Sequence, residues 1–283
     1  MRPANIVTAV ADILAGIAIA GFLLNTPQDI LPAVALILAT IGLYGGGVVM
    51  NDVFDAALDA VERPERPIPS GLIRKTEATI LGILLLGSGI FFAFRVSVFS
   101  GVLATIIAVA ALVYDKWAKH HSFFGPLNMG VCRGLNLLLG LSIIGSEATD
   151  WWYLALVPIV YIAAITMISQ GEVHGGKKTT LYAAALLYAV AMAGIVYVSI
   201  RQGHVFVTVI FVALWAFMVF VPLRQAMQNP EGRFMGRAVK AGVLALILMD
   251  AAWASAFGVT YLACIIVLLL PLSTLMAKVF AVT

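Results

Sequence analysis

"NDVFDAALDAVERPERPIPSG", residues 51–71, gathers five carboxylates and two arginines immediately behind the apolar run of residues 30–50. The rest of the chain offers nothing comparable. Of its 283 residues 62% are hydrophobic and only 11% charged, with a mean hydropathy of +1.04. A soluble domain carries about a quarter of its residues charged. The deficit, with repeated apolar runs of about 20 residues, indicates an integral membrane protein made of helices. The two-residue alternation of a membrane β-barrel is missing from the sequence. The quoted stretch is therefore a patch of acid at a membrane edge, where one span ends.

Ten apolar segments can be drawn, at about 6–24, 30–50, 77–94, 98–114, 126–144, 152–168, 179–200, 204–223, 236–257 and 259–280. Lys and Arg concentrate in cytoplasmic loops. With the N-terminus placed inside, the inner loops and ends hold Arg2, Arg63, Arg66, Arg74, Lys75, Lys116, Lys119, Lys177, Lys178, Arg224, Arg233, Arg237, Lys240 and Lys278. The outer loops hold only Arg95 and Arg201, and Arg133 lies within a span. This bias predicts a multi-pass protein with both termini and the polar loops cytoplasmic. Nine and ten spans both remain open, because segment 259–280 either stands alone or merges with its predecessor. The inner loops 51–76, 115–125, 169–178 and 224–237 are longer and more polar than the outer "NTPQD", "RVS", "GSEATDW" and "RQG". Function is expected at the inner side, in one membrane domain over residues 1–283, with lipid and no nucleic acid as partner. Ala18 and Ala20 give the first run an A-x-A pattern, but a first transmembrane helix is the expected reading. Cys132 and Cys264 fall inside apolar runs without metal spacing and read as small buried side chains.

Asn51, Asp55 and Asp59 stand at i, i+4 and i+8, so a helix continuing from the second span puts them on one stripe. Asp52 is close to the same face. Like charges so spaced repel by a few tenths of a kcal/mol per pair, and no cation follows until Arg63. A divalent ion removes the repulsion. Mg²⁺ uses one or two carboxylates plus substrate phosphates, so Asn51, Asp52, Asp55 and Asp59 are the expected metal ligands, with Asp55 and Asp59 catalytic. The following "ERPERPIPSG" has prolines at 64, 67 and 69. It is expected to be a stiff, extended cover that carries Arg63 and Arg66 back over the acids, where guanidinium groups suit phosphate oxygens. Acids for Mg²⁺, arginines for phosphate and an apolar interior together point to a lipid diphosphate.

Arg133 sits seven residues into the fifth span, where an arginine costs several kcal/mol unless it is paired or faces a wet cavity. Two readings follow: an ion pair with Asp12 or Asp250, both also within spans, or, preferred, diphosphate or acceptor binding. Asn128 and Asn136 share its helix, and Asn136 at i+3 can share its face. Asp12 and Asp250 are alternatively groups that orient an acceptor.

The pattern N-D-x-x-D-x-x-x-D followed by R-P-x-R-P-I-P-S-G resembles the first aspartate-rich motif of the UbiA superfamily of intramembrane prenyltransferases. Asn51, Asp52, Asp55, Asp59, Arg63, Pro64, Arg66, Pro67, Pro69, Ser70 and Gly71 all match it. The architecture agrees over about residues 5 to 257, and "MGVCRGLNLLLG" with "GEVHGG" is similar to the branch called EboC. The resemblance implies an all-α, polytopic bundle: nine helices ringed around a lipid-accessible cavity, with a tenth, C-terminal span open. It also implies a cytoplasmic cap, a bacterial cytoplasmic membrane, and Mg²⁺-dependent ionisation of a prenyl diphosphate. The prenyl group then passes to an aromatic or other lipid-soluble acceptor.

The family's second acidic motif is depleted here. In "ISQGEVHGGKKTT", residues 168–180, Glu172 takes the place of the first Asp, His174 that of the Glu, and Gly176 that of the last Asp. Glu172 is expected as a catalytic group and metal ligand, and His174 as a ligand or proton-transfer group. Lys177 and Lys178 are expected to hold diphosphate charge in place of a second metal. The loop "YDKWAKHHSFFG" resembles the family's Tyr-and-Lys loop, which assigns Tyr114, Lys116 and Lys119 to the diphosphate. Trp117, Phe123 and Phe124 read as interfacial anchors. The incomplete second motif keeps two alternatives: lipid binding or transport, and terpene cyclisation on the same fold. Transporters place broken helices and binding groups near the bilayer midplane, whereas this charge cluster lies at one edge.

Overall fold

The structure, a computed structural model, describes residues 3–25, 29–121, 123–172 and 175–279. The apolar segments become helices: α1 (Pro3–Ile19), α2 (Phe22–Asn25), α3 (Leu31–Glu62), α4 (Lys75–Val96), α5 (Val98–Lys116), α6 (Phe124–Leu141), α7 (Gly145–Asp150), α8 (Leu156–Ser169), α9 (Lys178–Gln202), α10 (Val205–Gln228), α11 (Gly232–Ala256), α12 (Thr260–Val267) and α13 (Leu269–Val279). Short 3-10 turns occupy Ala118–His120 and Trp152–Ala155, and no strand occurs among the described residues. Among the described residues eight helical stretches are long and apolar enough to cross a membrane. The shorter α1 and the more polar α6, which carries Arg133 and two asparagines, fall outside that set. The last expected span breaks at Leu268, between α12 and α13. Pro271 explains the break, because it has no N–H to give to the carbonyl four residues earlier.

The nine longest helices form a closed cycle in chain order: α1, α3, α4, α5, α6, α8, α9, α10, α11 and back to α1. Contacts of α1 with α6 and of α8 with α11 cross the interior, and α12 and α13 lie against α1 and α11. Helix α11 is the most enclosed of the candidate spans, with 83% of its apolar window buried.

Lipid tails are as apolar as leucine, so helices in a bilayer associate through close packing rather than through hydrophobic burial. Two crossings show how. A Cβ on Gly16 of α1 would lie 2.4 Å from the Leu137 carbonyl of α6, and one on Gly140 would lie 2.5 Å from the Ile13 carbonyl. The α3–α4 crossing at Gly42 and Gly89 is equally tight against backbone. Gly16→Ala is therefore expected to lower stability by about 1–3 kcal/mol, the cost of overpacking. Gly87→Ala, in α4 with open space around it, is the control. Thermal unfolding in detergent checks this, and equal midpoints for the two variants would show that the crossing tolerates a side chain.

Candidate functional site

Helix α3 positions the acids. At 1.5 Å per residue, residues 31–50 already span roughly the 30 Å of hydrocarbon. The helix nevertheless continues unbroken to Glu62, so its last turns project past the apolar slab. Asn51, Asp55 and Asp59 accordingly stay on one stripe, as their spacing requires.

Each member of the row has its own partner. Arg66 donates through Nη1 to Asp59 Oδ2 at 2.7 Å and to Asp52 Oδ1 at 3.4 Å. Lys119 donates to Asp55 from the far side. Asn51 Nδ2 donates to Asp115 Oδ1 at 2.9 Å. Asp59 and Asp115 are buried, and the others are partly buried. The row thus lies between the loop of residues 63–74 and the end of α5 with its following turn. Three carboxylates, Asp52, Asp55 and Asp59, meet two cations, Arg66 and Lys119, and a fourth, Asp115, accepts from Asn51. Among the described residues the three carboxylates of the row outnumber the two cations paired with them.

That excess and the all-oxygen donor set of the acids fit a hard divalent ion. Among the described residues no three acidic, His or Cys side chains converge closely enough to enclose a metal by themselves. A row in steps of one helical turn offers one or two carboxylates at a time, which is how Mg²⁺ is held when phosphate completes its shell.

The cover differs from its expected form. Residues 63–74 are a run of turns rather than an extended strip: Arg66 N–H bonds to Arg63 O, Ser70 to Arg66 O, Gly71 to Ile68 O and Ile73 to Pro67 O. Proline's fixed φ suits tight turns as well as extended chain. The donors here are the non-proline residues Arg66, Ser70, Gly71 and Ile73, and Gly71 takes φ +75°. Folding back on itself delivers Arg66 to the acids and leaves Arg63 exposed.

The loop after α5 supplies Lys119, while Lys116 is exposed and Tyr114 partly buried. Trp117 packs against His121 and Phe124, with ring centroids 4.4 Å and 5.4 Å away. Trp117, Phe123 and Phe124 remain exposed, as an interfacial aromatic cluster is.

The second motif lies on the α8–α9 loop. Glu172 is partly buried, with its N–H bonded to Ser169 O. His174 lies outside the described residues. Gly176 donates to Pro230 O at 3.1 Å, tying this loop to the α10–α11 turn. A Cβ on Gly176 would stand 2.2 Å from Met235 Cε, so a side chain at 176 requires Met235 to move. Lys177 and Lys178 stand exposed at the start of α9.

Arg133 is placed differently from its preferred reading. It is buried, donates to Asp12 Oδ2 at 2.5 Å and to Thr8, and stacks 5.3 Å from the Tyr44 ring centroid. Asn136 donates to the same Asp12 oxygen at 2.9 Å. Of the two readings the structure shows the ion pair, because burial in apolar surroundings demands a countercharge. Asn128, partly buried on the same helix, accepts from Cys132.

Asp115 was missed by sequence reading. It falls just past the fifth helix's apolar run with no acidic neighbour in its loop, so its only signal is the packing that brings it to Asn51. A cavity of about 480 Å³ lies elsewhere, lined by Trp151, Tyr153, Val157, Tyr197, Arg201 and Trp253. It contains none of the motif residues.

An all-helical, multi-pass membrane bundle with a row of oxygen donors and basic side chains at one end defines the class. The chain belongs to the UbiA prenyltransferase family, whose model matches residues 13–241. It is 31% identical over 155 residues to the digeranylgeranylglyceryl phosphate synthase of Saccharolobus solfataricus, 54% of each chain. With that of Methanothrix thermoacetophila it shares 30% over 209 residues, 68% of this chain and 76% of the relative. The chain thus spans about half the length of the first of these relatives. Among solved structures, the apo form of a UbiA homologue from Aeropyrum pernix K1 superposes with a TM-score of 0.72 at 16% identity, over 89% of this chain and 98% of that one. A structure concerned with digeranylgeranylglyceryl phosphate synthase in membranes gives 0.67 at 21%, over 90% and 95%. At these identities the structures show the fold.

Proposed function

We propose that this protein transfers a prenyl group from a prenyl diphosphate to a lipid-soluble acceptor at the cytoplasmic edge of the membrane. The observation that carries this reading is the acid row, whose carboxylates outnumber the cations paired with them among the described residues, at the end of an apolar helix. Asn51, Asp52, Asp55 and Asp59 are the residues that would hold Mg²⁺. When bound, Mg²⁺ neutralises the diphosphate and stabilises the charge that builds as it leaves. Arg66 and Lys119, which brace the acids, stand where phosphate oxygens can also be reached. Arg63, Tyr114, Lys116, Lys177 and Lys178 supply further contacts from the neighbouring loops, with Glu172 and His174 as auxiliary ligand and proton-transfer groups. The isoprenoid tail lies among the apolar helices, where water that could capture the carbocation is excluded. The excess of Lys and Arg on the loops of this end supports its assignment to the cytoplasm.

A second reading, prenyl-lipid binding or cyclisation, is favoured by one observation: Gly176, under Met235, leaves the second motif without its last carboxylate. The relatives' names make geranylgeranyl diphosphate and a glycerol phosphate lipid the first substrates to try, alongside aromatic acceptors.

Binding of prenyl diphosphates of several lengths to the full-length protein, with Mg²⁺ or with chelator, tests the proposal. At least about tenfold tighter binding with Mg²⁺, some 1.4 kcal/mol, is expected, followed by a prenylated lipid in extracts of the reaction. No Mg²⁺-dependent binding at any length removes the reading. Tight binding without prenylated acceptor selects the second.

A further inference from the structure

Away from the acid row, α1, α3, α6 and α11 share a second polar cluster in the interior of the bundle. Asp12 and Asp250 have no exposed surface and Arg133 has 4%. Both donors described above, from Arg133 and Asn136, go to one Asp12 oxygen, Oδ2. Asp12 Oδ1 and both oxygens of Asp250 receive no donor. Asp250, on α11, nevertheless neighbours Asp12 closely enough for the two carboxyls to act on each other electrostatically. Among the described residues the other ionisable groups facing it are Arg133 from α6 and Tyr161 from α8, and the Tyr161 hydroxyl is already given to Gly242 O at 2.7 Å.

Two carboxylates against one guanidinium leave this enclosed cluster with one uncompensated negative charge. A buried unpaired charge is strongly disfavoured. Ionised carboxylates only accept hydrogen bonds, so two of them side by side satisfy nothing. One added positive charge neutralises the cluster and gives the orphan oxygens a partner.

We propose that Asp12 and Asp250 form a binding site for one further unit of positive charge, either a proton shared between the carboxyls or a sodium ion seated on their oxygens. The site is linked to the acid-bearing helix: Asn136 accepts from Thr40 Oγ1 at 2.7 Å, and Thr40 lies about three turns before Asn51 on α3. Occupancy therefore clamps α1, α6 and α11 together against α3.

The test uses the full-length protein in lipid nanodiscs. Unfolding midpoints are followed while NaCl replaces choline chloride at constant ionic strength, and across a pH series, for the native chain and Asp250→Asn. Infrared spectra record the C=O stretch of protonated carboxyl groups. A ligand that binds only the folded state raises the midpoint with its concentration. A sodium site gives a rise of several degrees with Na⁺ that Asp250→Asn abolishes. A shared proton gives no Na⁺ effect, a protonated-carboxyl band that Asp250→Asn removes, and a midpoint that falls as pH rises in the native chain only. The sign follows because a proton held by the folded state stabilises at low pH and is lost on the alkaline side. Neither a Na⁺ effect nor a carboxyl band overturns the proposal. If Asp250→Asn does not fold, the Na⁺ titration and the spectra of native protein carrying carbon-13-labelled aspartate decide the same question.

Discussion

Asp55→Ala and Asp59→Ala each abolish Mg²⁺-dependent binding of prenyl diphosphate, while Glu147→Ala leaves it unchanged. These are the expected results of a titration with and without chelator. The two aspartates are successive members of one helical row, each braced by its own cation, Lys119 or Arg66. Removing either carboxylate takes away an oxygen donor and at the same time releases a positive side chain from it, leaving Arg66 only its longer bond to Asp52. Mg²⁺-dependent affinity is expected to fall by more than the roughly 10–100-fold that loss of an outer-shell partner costs. Binding in chelator should hold or rise, because the freed lysine or arginine remains available to phosphate. A stability defect alone would lower both. Glu147 lies in α7, bonded to Trp151 Nε1 at 3.2 Å, on a different loop from the row. Equal losses in all three variants would defeat the assignment.

Arg133→Met destabilises the bundle by about 3–5 kcal/mol, the cost of removing one partner from a buried ion pair. Arg133→Met combined with Asp12→Leu recovers much of that loss, since replacing both partners by apolar groups is often neutral. Unfolding midpoints in detergent give the readout, with prenyl diphosphate binding measured alongside. Arg133 is nearly fully buried and committed to Asp12 and Thr8, so stability should respond before affinity does. If the single variant kept its midpoint and lost only binding, Arg133 would belong to the substrate after all.

The site was legible in sequence where it is local to one helix. The row Asn51, Asp55, Asp59 could be placed on one stripe because helical periodicity alone puts it there. Arg66 and Lys119 could be named as cations of this end, but not assigned to particular acids. The path of residues 63–74 was misjudged, since proline's φ is compatible with both extended chain and turns, and only the hydrogen bonds of Arg66, Ser70, Gly71 and Ile73 distinguish them. Asp115 carried no signal at all, being 64 positions from the asparagine it accepts from.

The sequence by itself determined that this is an all-helical membrane protein and where one helix leaves the lipid with its acids aligned. Those properties depend on hydropathy and on a repeat of 3.6 residues, both readable along a single segment. Only the tertiary structure decided that Arg133 pairs with Asp12, 121 positions away, that Asp250 is brought beside them, and that Gly176 lies beneath Met235. Inside a bilayer water supplies no alternative partner, so each polar group's role is set by whichever distant helix packs against it.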